Sequence, residues 1–179
     1  ASPIGQLSDT SQSLRDCLEM VDLVACEDTR HSKRLLDYCN VSTPTISLDK
    51  HNEARRISVL KNCLDKGQNI ALLSDAGTPC ISDPGYRLIN KARMNKIDVL
   101  CIPGPTSVIG ALSISGLPTD SFYFHGFLPK KKGRKSKIEF LAQIPATVIV
   151  FESPYRIVKT LIDIKEIMGD RIVSICREM

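Results

Sequence analysis

Short runs rich in Val, Ile and Leu alternate with segments of helical period, and this alternation constrains the fold more than any other feature of the chain. Residues 22–26, 45–48, 69–73 and 98–102 have the length and composition of buried strands. Between them, residues 30–38 and 52–65 place apolar side chains on one helical face. In the second segment Ile57, Leu60 and Leu64 share that face, Asn52 is a candidate N-cap and Gly67 lies just past the end. Ser82-Asp83-Pro84 predicts another helix start, with Asp83 as cap and Pro84 in the first turn. Repeated strand-helix units predict an α/β fold, a sheet covered by helices.

The pattern changes after Pro103. Residues 106–115 predict a helix of small residues, 121–127 an aromatic strand and 136–142 a helix. A strand at 147–151 follows, then a helix at 154–167 framed by Ser153, Pro154 and Gly169, and a strand at 171–176. The expected division is an N-terminal domain over 1–104 and a C-terminal domain over 105–179.

Composition narrows the function classes. No apolar run approaches the roughly 18 residues of a membrane-spanning helix, and Ala1-Ser2-Pro3-Ile4-Gly5 has no signal-peptide character. The seven cysteines are widely spaced and never form a C-x-x-C pair, so they read as buried small hydrophobes in a reducing cytoplasm. His31, His51 and His125 lack metal-ligand spacing, and no metal site is expected. The formal charge is +4, yet Lys130, Lys131, Lys132, Arg134, Lys135 and Lys137 bring six positive charges into eight residues. The basicity is one local cluster, suited either to phosphate contacts or to a solvated surface.

Chemistry is expected in the loops after the strands, where α/β sheets bind ligands. Ser74-Asp75-Ala76-Gly77-Thr78-Pro79 is rich in small residues that let backbone approach a ligand, and Asp75 can accept from hydroxyls or an amine. The same residues also read as a pair of turns. Ile102-Pro103-Gly104-Pro105 follows the next strand, as a second wall or a rigid hinge. Glu27-Asp28-Thr29-Arg30 could activate a hydroxyl or could cap a helix, and Glu152-Ser153-Pro154 invites the same two readings.

Taken in order, these segments resemble the bacterial 16S ribosomal RNA (cytidine-2′-O)-methyltransferases of the tetrapyrrole methylase-like group. The resemblance runs nearly end to end, through Ser2-Pro3-Ile4-Gly5, Glu27-Asp28-Thr29-Arg30, His51-Asn52-Glu53, Ser74 to Pro79, Ser82-Asp83-Pro84-Gly85-Tyr86, Gly126-Phe127-Leu128-Pro129 and Glu152-Ser153-Pro154. Ser2 stands where the group usually has Thr, and Phe151 and Tyr155 flank Glu-Ser-Pro where Tyr and His are usual. The resemblance implies two α/β domains of the tetrapyrrole methylase type with S-adenosylmethionine in a cleft between them, the second domain incomplete in this sequence. It also implies a cytoplasmic homodimer that methylates a cytidine ribose in the decoding centre of the small ribosomal subunit.

Carried onto this sequence, it assigns Pro3, Gly5, Asp75, Ala76, Gly77, Pro103, Gly104, Ser107 and Ala111 to the cofactor. Glu27, Asp28 and Glu152 become candidate bases or orienting groups. Arg30 and the six basic residues from Lys130 to Lys137 become contacts to 16S rRNA. A tetrapyrrole methyltransferase and a non-catalytic RNA-binding module are the rival readings.

Overall fold

The structure, a computed structural model, describes residues Ala1–Met179 and divides into two compact units, Ala1–Ser107 and Val108–Met179. In the first, a three-stranded parallel sheet has the order β2-β1-β3, with β1 Leu23–Cys26, β2 Thr45–Ser47 and β3 Ile70–Leu73. Val24 pairs with Thr45 on one side of β1 and with Ala71 on the other. Parallel strands require crossovers, supplied here by the helices between them.

The alternation of side chains along β1 explains why the sheet is covered on both faces. Val24 and Cys26 pack with Leu14 and Leu18 of α1 (Gln12–Met20) and with Leu35, Leu36 and Cys39 of α2 (Thr29–Cys39). Ala25 points the other way, against Leu60 of α3 (Glu53–Asp65) and Leu88 of α4 (Tyr86–Met94). All three β1 residues are fully buried. In α2 the buried Ser32, Leu35, Leu36 and Cys39 form the stripe that its sequence period requires, and Asn40 ends the helix in the left-handed conformation (φ 58°).

The helix α5 (Ser107–Ile114) begins at the last residue of the first unit. The second unit pairs β4 (Phe122–Phe127) with β5 (Thr147–Phe151) in parallel, with a register shift between Phe124 and Gly126. Its core joins Ile138 and Leu141 of α6 (Arg134–Ala142), Ile164, Ile167 and Met168 of α7 (Ile157–Met168), Leu128 and Val148.

The structure corrects several expectations. Residues 98–102 form no strand: they have no ladder partner, and the Ile102 carbonyl accepts from the Ala1 nitrogen at 2.7 Å. Residues 171–176 are mostly exposed and unpaired, so their apolar content does not make a strand. The fourth helix starts at Tyr86, because Gly85 at its cap position has φ 122°, far from helical geometry, and Asp83 caps nothing. The last helix starts at Ile157, after a turn in which the Arg156 amide donates to the Ser153 carbonyl at 2.9 Å. α6 begins at Arg134, which puts Arg134, Lys135 and Lys137 on a helix and leaves only Lys130, Lys131 and Lys132 on the preceding turn. Only Cys26 and Cys39 are buried, and Cys101 is exposed, so burial does not explain the cysteines as a group.

Candidate functional site

Because β1, β2 and β3 are parallel, the loops that leave their carboxyl ends share one edge of the first unit's sheet. β1 delivers Glu27 and Asp28, β2 leads to Asp49, and β3 delivers Ser74 and Asp75. The loop after β3 is tied to the start of the chain. Ser2 and Gly77 exchange both backbone hydrogen bonds, at 2.8 and 3.1 Å. The buried Ser2 hydroxyl donates to the Ser74 carbonyl at 2.8 Å, and the Ser74 hydroxyl donates to the Gly77 carbonyl at 2.9 Å. Gly77 takes φ 78°, the left-handed region that favours glycine.

Gly104 approaches the same first residues closely. A Cβ there would meet Ala1 Cβ at 3.0 Å and the Ala1 carbonyl oxygen at 3.1 Å. The structure thus brings together Ala1 and Ser2, Gly77 and Gly104 from three separated segments, with the Ala76 and Gly104 positions exposed. Ser107 lies at the end of the first unit, and Ala111 belongs to the second.

Asp75 connects this cluster to the β1 loop. Its Oδ1 accepts from the Asp28 amide at 3.3 Å and lies 3.8 Å from His31 Nδ1. Asp28 caps α2 through its Arg30 contact: Oδ1 accepts from the Arg30 amide at 2.8 Å, and the Arg30 guanidinium reaches both carboxylate oxygens at 3.2 and 3.0 Å. These bonds hold the Asp28 carboxyl well below its usual value, at about 2. Glu27 is different. No hydrogen bond or ion pair engages its carboxylate; burial raises its pKa, and the Asp83, Asp75 and Asp49 charges add to that rise against the opposing Lys50. Burial likewise pushes up Asp83. An open depression lined by Asp28, Arg30, His31 and Arg34 lies beside this edge.

The basic and Glu-Ser-Pro residues lie in the second unit. Glu152, only 3% exposed in its side chain, is occupied on both oxygens. Oε1 accepts from the Ser153 amide at 2.7 Å and pairs with Arg156 at 2.6 Å, while Oε2 accepts from Thr160 Oγ1 at 2.7 Å. Burial alone would raise its pKa; the Thr160 and Ser153 hydrogen bonds, helped by Arg156 and Arg134, lower it instead. A carboxylate so engaged is a poor proton acceptor, which removes Glu152 from the candidate bases. Arg134 joins the same network and is 11% exposed, so it is not part of the solvent-facing basic group. Lys130, Lys131 and Lys132 are exposed and carry no ion pair. Lys135 lies 4.0 Å from Glu139, and Lys137 sits 5.1 Å from the Phe140 ring centroid.

Sequence reasoning missed Ser74, His31, Thr160 and Asp163. Ser74 was within reach, since it sits in the Asp75 loop. The others had no local signal, because their partners lie 8 to 44 residues away in the chain.

The comparisons with known proteins agree with this architecture. The family model described as Tetrapyrrole (Corrin/Porphyrin) Methylases matches residues 1–179. The chain is 49% identical over 180 residues to the Ribosomal RNA small subunit methyltransferase I of Vibrio cholerae, covering 99% of this chain and 62% of that protein. It is 44% identical to the protein of the same name from Escherichia coli O157:H7, covering 99% and 63%. The chain therefore spans under two thirds of the length of these relatives. Among solved structures, a cobalt precorrin-4 methyltransferase superposes with a TM-score of 0.65 at 15% identity, over 92% of this chain and 71% of that one. A uroporphyrin III C-methyl transferase from Thermus thermophilus gives 0.59 at 18% identity, over 91% and 74%. With a family model spanning every residue and relatives near half identity, the parallel sheet and its tied edge loops have a clear kinship: the chain belongs to the tetrapyrrole (corrin/porphyrin) methylases.

Proposed function

We propose that this chain is the methyl-transferring part of an S-adenosylmethionine-dependent enzyme that methylates the 2′-hydroxyl of a cytidine ribose in 16S rRNA, within the decoding centre of the small ribosomal subunit. The observation that carries this reading is the pinned edge: three segments joined at Ser2, Gly77 and Gly104, with Asp75 and Glu27 beside them. The names of the rRNA methyltransferase relatives support the substrate class.

Methylases of this family use S-adenosylmethionine, which supplies an electrophilic methyl group. The residues here fit such a group. Its hydroxyls and amine need an acceptor, which Asp75 offers, and its bulk needs small neighbours, which Ala76, Gly77, Pro103 and Gly104 provide. Pro3, Gly5 and Ser107 complete the proposed set within the first unit. Holding both reactants in line is the protein's main contribution to such a displacement.

Of the three candidate carboxylates, Glu27 suits the base best. Its oxygens are unengaged, and its raised pKa moves it toward the working range, whereas Asp28 is held near 2 by Arg30 and stays charged as an orienting group. Arg30, 90% exposed, remains available to phosphate. Lys130, Lys131, Lys132, Lys135 and Lys137 supply the positive surface for RNA. A cytoplasmic homodimer belongs to the same reading.

The test is transfer of labelled methyl to small ribosomal subunits by the full-length protein, its Asp75→Ala variant and a variant with Lys130, Lys131 and Lys132 changed to Gln. Loss of cofactor affinity in the first variant and of RNA affinity in the second is expected. Methylation of precorrin-type acceptors with none of small subunits would overturn the RNA reading, and no S-adenosylmethionine binding in calorimetry would overturn the enzyme itself.

A further inference from the structure

Arg134 opens α6, and its guanidinium joins four separate groups of the second unit. Nη1 donates to the Pro129 carbonyl at 3.1 Å and lies 3.7 Å from Glu152 Oε2. Nη2 donates to Thr160 Oγ1 at 2.7 Å, and Nε donates to Asp163 Oδ2 at 2.7 Å. Thr160 passes the network on by donating to Glu152 Oε2. Two guanidinium groups, of Arg134 and Arg156, face two carboxylates, of Glu152 and Asp163. The charge of Arg134 is therefore balanced inside the unit and adds little to the surface.

Its position along the chain gives the network a purpose. Pro129 precedes the basic turn and Arg134 follows it, so this side chain closes residues 130–133 across their base. Within the turn the Arg134 amide donates to the Lys131 carbonyl at 3.2 Å, and Gly133 adopts φ 77°. The three residues thus held, Lys130, Lys131 and Lys132, are the exposed and unpaired lysines of the basic cluster. A turn already fixed loses less conformational freedom when it meets a phosphate backbone.

The geometry points to Arg134 as a positioning residue, a staple that presents Lys130, Lys131 and Lys132 at fixed spacing to RNA phosphates without itself touching them. This inference rests on the RNA reading proposed above. Lys cannot replace Arg134, because an ammonium has no planar fork to serve Pro129, Thr160 and Asp163 together. Thr160 is a supporting member: its hydroxyl both accepts from Arg134 and donates to Glu152.

The experiment uses the full-length protein with Arg134→Lys and, separately, Thr160→Val, two changes that leave the net charge as it is. Thr160→Val is close in shape and protects the test should Arg134→Lys fail to fold. Hydrogen exchange is read at residues 130–133, and affinity for small ribosomal subunits is read across a range of salt. The staple predicts exchange faster by about tenfold at those amides. It also predicts a KM for subunits raised by about tenfold with kcat nearly unchanged, and a shallower salt dependence, in spite of unaltered charge. Wild-type exchange and affinity in both variants overturn the inference. A separate variant, Lys130, Lys131 and Lys132 to Gln, is expected to lower the salt slope by roughly one per lysine. Faster exchange in Arg134→Lys with an unchanged slope in this lysine variant would overturn the staple's RNA role, whereas the RNA reading itself stands or falls with methylation of small subunits.

Discussion

Ser2 and Gly77, 75 residues apart, exchange both of their backbone hydrogen bonds, and the Ser2 side chain adds a third link through its 2.8 Å bond to the Ser74 carbonyl. This joint fixes the first loop against the loop after β3. Ser2→Ala deletes the hydroxyl and leaves the Ser74 carbonyl without that donor in a buried place. The expected cost is ~1 kcal/mol in urea denaturation, together with weaker S-adenosylmethionine binding. Unchanged cofactor affinity in a destabilised Ser2→Ala protein would confine Ser2 to stability.

Gly85 sits at φ 122°, and a Cβ there would meet Leu72 Cδ2 at 2.6 Å and Cys80 Sγ at 3.0 Å. Gly85→Ala therefore combines backbone strain with a clash against β3. A loss of at least ~1–3 kcal/mol is expected from the strain alone, measured by urea denaturation. Because the site carboxylates do not touch Gly85, cofactor affinity at low temperature should survive in the folded fraction.

Asp75→Ala removes the acceptor of the Asp28 amide and the proposed partner of the cofactor. Cofactor affinity should fall by roughly tenfold or more in calorimetry, the scale of a lost hydrogen bond to a charged group. The cost in stability should be small, since the Asp75 side chain is 39% exposed.

Glu27→Gln tests the base and the electrostatics at once. Burial and the neighbouring Asp83 and Asp75 raise the folded pKa of Glu27 above its unfolded value. The folded chain then binds this proton more tightly, so the group's stabilising contribution exists below the unfolded pKa and is lost as pH rises through the raised one. The neutral Gln should raise Tm at pH 7, with the gain shrinking as the pH is lowered into the carboxylate range. Methyl transfer should fall by ~100-fold or more if Glu27 takes the proton.

Glu152 carries the opposite sign. Its folded pKa lies below the unfolded value, so its stabilisation is present above the unfolded pKa and is lost as pH falls through the depressed one. Glu152→Gln should cost ~1–3 kcal/mol at pH 7, because Arg156 loses its carboxylate partner while Arg134 keeps Asp163. The deficit should narrow in acid, which denaturation curves at pH 7 and pH 3 would show.

Local sequence determined a good part of this fold. The strand runs at β1, β2, β3 and β5, the stripe of α2 and the small-residue helix α5 all follow from period and composition, which short-range sterics and burial impose. The loop that carries Asp75 and Gly77 after β3 could also be read there, since a turn rich in small residues ends the apolar strand. Tertiary structure decided the rest. Residues 98–102 have strand composition, yet a strand exists only where a neighbour supplies the ladder, and the Ile102 carbonyl met Ala1 instead. Glu27, Asp28 and Glu152 looked alike as acids after strands. Their chemistry separated only when Arg30 came to Asp28, Arg134, Arg156 and Thr160 came to Glu152, and no donor came to Glu27. The pKa of a carboxylate depends on the charges and donors around it in space, and sequence spacing does not state who those neighbours are.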